Sequence, residues 1–150
     1  MKKLLFLLLC AMGALVWATS CQPDNKTKET AGTYCYTYPD STGHTYLILN
    51  EDGTCQQYAE WLDTLENSRV EVWLNKGEWE LAKDGTISAK IDVQTLPVGT
   101  VEYTLAVSGD TLKVTESDNN LVFIKTTQEI PTNPNDTTIV TPLDTLPAEN

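Results

Sequence analysis

Apolar and polar side chains alternate with a period of two through the middle of the chain. Val70, Val72 and Leu74 alternate with Glu71 and Trp73, Trp79 and Leu81 with Glu78 and Glu80, and Ile87, Ala89 and Ile91 with Ser88 and Lys90. Tyr103, Leu105 and Val107 alternate with Glu102, Thr104 and Ala106, and Leu112 and Val114 with Lys113 and Thr115. Successive side chains of a strand point to opposite faces, so each set puts an apolar row against a core and a polar row against water. The pattern predicts strands at 32–37, 44–50, 54–60, 69–74, 77–82, 86–92, 101–107, 111–116 and 121–125.

The punctuation agrees. Asn50-Glu51-Asp52-Gly53, Lys83-Asp84-Gly85, Ser108-Gly109-Asp110 and Asp118-Asn119-Asn120 are tight-turn sequences, because Gly, Asn and Asp accept turn dihedrals at low cost. Two longer connections remain, Tyr38 to Gly43 and Trp61 to Ser68, and the second has room for a helical turn. Short links between successive antiparallel strands make a meander, and closing it removes the edges that would otherwise aggregate. The expected fold is all-β: a small antiparallel up-and-down barrel of about eight to nine strands over residues 32–125.

The flanks differ. Residues 21–31 are polar and read as a flexible tether, and residues 126–150, rich in Thr and Pro, as an extended, disordered tail. Ahead of them, Lys2 and Lys3 precede the apolar run Leu4 to Trp17, and Ala18, Thr19 and Ser20 lead into Cys21. A basic start, a short apolar segment and a small-residue exit form an export signal, residues 1–20. The exit resembles the lipobox of bacterial lipoproteins, in which the cysteine is acylated and becomes the first residue. That resemblance implies a lipid anchor (palmitate or a similar chain) on Cys21 and a place in the cell envelope, at the outer membrane. An ordinary signal peptide cut near Ser20 is the alternative.

The chain has 150 residues, 10 basic and 21 acidic, for a formal net charge of −11. Loss of Lys2 and Lys3 with the signal takes it to −13. No basic cluster survives, so nucleic acid is excluded as a partner by charge.

Gly32-Thr33-Tyr34 resembles the Gly-x-Trp start of lipocalin-like barrels, with Tyr in place of Trp. The stretch from Leu47 to Thr54 is similar to the strand–turn element of small lipocalin-like lipoproteins, and Val107 to Leu112 to their later hairpin. The resemblance covers most of 32–125 and rests on turn chemistry and alternation, so it implies the barrel fold more than a function.

Candidate chemistry is sparse. If the alternation holds, Tyr34, Tyr36, Trp79, Tyr103, Leu105 and Phe123 project inward and either fill the barrel or line a cavity. Trp73 and Trp61 then fall on the outer face or rim, where flat aromatics stack on sugars or anchor a protein partner. Cys35 and Cys55 are disulfide candidates by compartment, although alternation puts Cys35 outward and Cys55 inward. Asp136-Thr137-Thr138 and Asp144-Thr145-Leu146 resemble the acceptor pattern of a bacterial periplasmic O-glycosylation system, which implicates Thr137 and Thr145. Asp40-Ser41-Thr42, Asp63-Thr64-Leu65 and Asp110-Thr111-Leu112 fit the same loose pattern.

His44, the single histidine, has no catalytic motif around it, and Glu78 and Glu80 lie on a polar face rather than across a cleft. No metal or cofactor site is expected. Non-catalytic binding is therefore the expected role, with a small apolar ligand in the barrel or an envelope partner on its rim. A structural or interaction lipoprotein with a filled core, such as an envelope sensor or a hydrolase-inhibitor-like module, is the alternative. An enzyme comes third.

Overall fold

The computed structural model describes residues 25–94, 98–116 and 121–145. The signal segment, Cys21 and the Asp118-Asn119-Asn120 turn lie outside the described residues. A short helix, α1 (Asn25–Thr30), leads into β1 (Gly32–Thr37), β2 (Gly43–Leu49), β3 (Thr54–Asp63) and β4 (Ser68–Leu81). Then follow β5 (Thr86–Val93), β6 (Gly99–Ser108), β7 (Thr111–Val114), β8 (Val122–Thr126) and β9 (Thr137–Pro142). Each of β1 to β7 pairs antiparallel with the next, and β8 pairs back onto β1 through Thr33↔Thr126, Tyr34↔Lys125 and Cys35↔Ile124. The result is a closed eight-stranded barrel, as the alternation predicts.

Inward positions follow the predicted parity. Leu105 is fully buried and Val114 nearly so, while Lys113 is exposed. The lower half of the barrel, beside the β2–β3, β4–β5 and β6–β7 turns, is solid: Tyr34, Leu49, Trp79, Ile87, Leu105 and Leu112 pack into one cluster. The indole N–H of Trp79 donates to the Asn50 carbonyl at 2.8 Å, so its polar edge is satisfied at the turn. Helix α1 seals this end. Tyr34 donates its hydroxyl hydrogen to the Thr30 carbonyl (2.6 Å), and Lys125 Nζ donates to that of Glu29 (2.8 Å). Two carbonyls that the helix end leaves unpaired thus gain partners. The segment expected to be a featureless tether therefore includes a structural cap.

Three further expectations change. The strands read at 69–74 and 77–82 are one, because Asn75 and Lys76 form a bulge instead of a turn. Cys55 pairs with Gly77 and Gln57 with Leu74, so the extra residue on β4 shifts its inward set from even to odd positions. Gly77 makes this possible: a Cβ there would lie 2.7 Å from Cys55 Sγ and 2.8 Å from the Cys55 and Lys90 carbonyl oxygens. The Trp61–Ser68 connection has no helical turn. β3 runs on to Asp63, whose Oδ1 accepts the N–H groups of Leu65 and Glu66 and closes a tight turn.

The third change is in the tail. β9 pairs with the first half of β4, from Ser68↔Pro142 to Trp73↔Thr137. β5 reaches only Lys76 to Leu81 of β4, so the earlier half would otherwise be a bare edge. Within the segment read as a disordered tail, residues 137–142 instead form a ninth strand that covers it.

Candidate functional site

Above the solid half, the inward positions become smaller and more polar. On β2 they pass from Leu49 and Leu47 to Thr45, and on β3 from Cys55 to Gln57, Ala59 and Trp61. Side chains of this size do not fill the mouth, and a cavity of about 480 Å³ opens there. Its aromatic wall is Tyr36, Tyr38, Trp61, Tyr103 and Phe123, and its remaining wall is Thr45, Gln57, Ala59, Val72 and Leu121. Phe123 is the hub of the rings: its centroid lies 5.9 Å from Tyr36 and 5.9 Å from Tyr103, the latter edge to face.

The polar groups are paired in a way that leaves donors over. Tyr103 donates its hydroxyl hydrogen to Gln57 Oε1 at 2.7 Å, and the Tyr38 and Thr45 hydroxyls lie 3.0 Å apart. Burial, with a smaller contribution from Tyr38, pushes the Tyr103 phenol up to about 12. Among the described residues that line the cavity none is an acid or a base of the carboxylate, amine or guanidinium type.

Of the six cavity residues expected from sequence, Tyr36, Tyr103 and Phe123 line this space. Tyr34, Trp79 and Leu105 do not; they belong to the solid half. Trp61 is at the rim, but its side chain forms part of the cavity wall, because β3 extends past residue 60 and carries the inward parity of 55, 57 and 59 to 61. Gly43 lets β2 lie tightly against that point, since a Cβ there would be 2.1 Å from the Glu60 carbonyl oxygen. The alternation points Val72 inward, whereas Tyr38, Thr45, Gln57, Ala59 and Leu121 are lining residues outside the set expected from sequence. The weakening of the apolar row toward residues 45, 57 and 59 was their signal.

Trp73 is on the outer face, as expected, but it is only 6% exposed and offers no free contact surface. It continues a row of rings across the sheet: Tyr46 and Tyr58 stack at 5.8 Å, and Tyr58 and Trp73 lie 5.0 Å apart. Residues between β8 and β9 cross over this row. The Trp73 indole N–H donates to the Pro131 carbonyl (3.1 Å), the Asn75 side-chain amide to that of Asn133 (2.9 Å), and the Asn75 backbone N–H to Asp136 Oδ1 (2.7 Å). A groove of about 550 Å³ remains between the crossing segment and the sheet. Tyr58 also donates to Glu71 Oε1 (2.7 Å); burial and that bond push its phenol well above the ordinary tyrosine range.

The disulfide is corrected. Both thiols are free, with Cys55 buried inside the barrel and Cys35 on the outer face, so the sheet itself separates them. Burial pushes the Cys55 thiol up to about 11, which makes it inert. Cys35 Sγ lies 3.7 Å from His44 Nδ1, which is also 3.1 Å from the Thr37 hydroxyl. Thr137 begins β9 and its neighbour Asp136 is engaged by Asn75, so this acceptor is built into the ladder rather than free in a tail. Thr145 ends a short 3-10 turn, Leu143–Thr145. Glu78 and Glu80 are exposed on the outer face. Among the described residues no group of three or more His, Cys, Asp or Glu side chains is placed to hold a metal ion.

Comparison of the chain with family models, with curated proteins and with solved structures finds no match.

Proposed function

We propose that this protein is a lipid-anchored, lipocalin-like binding protein of the cell envelope that holds a small apolar ligand in the mouth of its barrel. The observation that carries the reading is the mouth cavity. It is concave and mostly apolar with a few convergent polar groups, and its 480 Å³ lies within the ~300–1,000 Å³ usual for small-molecule sites. The export signal and Cys21 support the envelope address and the outer membrane as the place of anchoring. Two acyl chains anchor stably, since each buried methylene contributes about 0.8 kcal/mol.

Mass spectrometry under native conditions, on protein purified from its own host, tests this. The expected result is a polypeptide that starts at an acylated Cys21 and carries a small-molecule adduct. The adduct disappears in Val72→Phe, which fills the cavity. Protein without an adduct, or a variant that keeps it, contradicts the reading.

A second reading, a protein partner on the rim, is favoured by one observation. Leu62 and Leu65, at the β3–β4 turn, are 43% and 94% exposed, and a protruding apolar tip of this kind suits an anchor. Double substitution of Leu62 and Leu65 by Ser would abolish partner capture and leave the small-molecule adduct in place.

A further inference from the structure

We infer that the mouth cavity selects an uncharged, ring-bearing ligand with an acceptor oxygen at one end, and discriminates against carboxylates such as fatty acids. The inference rests on the reading of the mouth as a ligand site and adds the chemical class that site would take.

Shape is the first argument. Tyr36, Trp61, Tyr103 and Phe123 line the space, and Phe123 packs tilted against Tyr36 and edge to face with Tyr103, so the wall combines ring faces and ring edges. Aromatic pairs in such geometries gain more than the area they bury accounts for, which favours a planar ligand over a flexible alkyl chain. An alkyl chain also loses rotamer freedom on entering, whereas a fused ring does not.

Charge is the second. A carboxylate moved into this wall would lose its hydration and find no cation among the described lining residues. The formal net charge of −11 adds a repulsive field to that loss. The raised phenol of Tyr103 reports the same property from the protein's side: the environment resists an anion.

The third argument fixes the polar end. Gln57 lines the cavity and its Oε1 is occupied by the Tyr103 hydroxyl, so the donor its amide has left to offer a ligand is the NH₂ group. An amide donor in an apolar wall is satisfied by a ketone, quinone or ether oxygen.

Isothermal titration of the full chain with matched probes tests the inference. The probes are 2-acetylnaphthalene (neutral, ring, ketone), 2-naphthoate (the same ring with a carboxylate), 2-dodecanone and dodecanoate. The expected result is that 2-acetylnaphthalene binds at least tenfold more tightly than 2-naphthoate and than either linear probe. Gln57→Lys places a cation at the polar end and should bring 2-naphthoate level with or above 2-acetylnaphthalene. Leu121→Lys, at the half-exposed rim and less demanding on folding, should move the ratio in the same direction. Circular dichroism confirms that each variant is folded. Equal or tighter binding of 2-naphthoate or dodecanoate to the unmodified protein overturns the inference while leaving the ligand-binding reading intact. Failure of all four probes to bind overturns both.

Discussion

Trp79 shows how much a single side chain decides here. Its indole is buried in the solid half of the barrel and its N–H donates to the Asn50 carbonyl, so Trp79→Ala removes packing and one of the two donors to that carbonyl, leaving only the Gly53 N–H. The expected loss is about 3–5 kcal/mol, read as a lower urea midpoint at unchanged slope. Gly77 is the opposite case, in which the absence of a side chain matters. Gly77→Ala would drive a methyl group into Cys55 and the Lys90 carbonyl, and the expected cost is about 1–3 kcal/mol by the same measurement. The inward residues of the core could be read from sequence because a strand's side chains alternate strictly. Trp61 reads from sequence only as an outer-face or rim residue, because its role as part of the cavity wall depends on where β3 ends, and strand ends carry no comparable rule. Gln57 and Thr45 carry no signal of their own, because a polar inward residue looks like noise unless its neighbours show that the interior is opening.

At the scale of elements, the tail is the informative case. The sequence after Thr126 has too few apolar residues to make a core of its own, and that much was legible. Its fate was not, because it depends on an edge that β5 leaves open on β4 and on a row of rings contributed by three other strands. One sign was available: Tyr46, Leu47, Ile48 and Leu49 are apolar on both faces, as in strands covered on both sides. Truncation after Thr126 should therefore leave the barrel intact but uncover Trp73 and Tyr58 and expose the β4 edge. The expected outcome is a red shift of tryptophan emission together with concentration-dependent light scattering. Unchanged emission would mean that the crossing segment does not cover Trp73 in solution.

For the whole molecule, the titrating groups set two limits of stability. Asp40, Asp52 and Asp84 each accept hydrogen bonds from the threonine two residues on, which hold their carboxyl groups below the usual range. A lowered value stabilises the fold above the unfolded value of 3.8 and loses that contribution as pH falls through the folded one. Burial does the reverse to Tyr46 and Tyr103, raised from 10.0 to about 12. Their neutral forms stabilise the fold fully below pH 10, and the contribution is lost as pH rises toward about 12. Thermal melts should show a plateau between these limits and a fall on each side. Tyrosinate absorbance on the alkaline side should lag behind that of free tyrosine until the fold is lost.

The barrel is solid at one end and hollow at the other, and its proposed role depends on the hollow end. Backbone amide chemical-shift mapping of the full chain with 2-acetylnaphthalene tests this most directly. The account predicts saturable shifts at Thr45, Gln57, Ala59, Val72 and Tyr103, with Ile87, Leu112 and Asn133 unmoved. Shifts centred on Trp73, Asn75 and Asn133, or none at any of these amides, would contradict it.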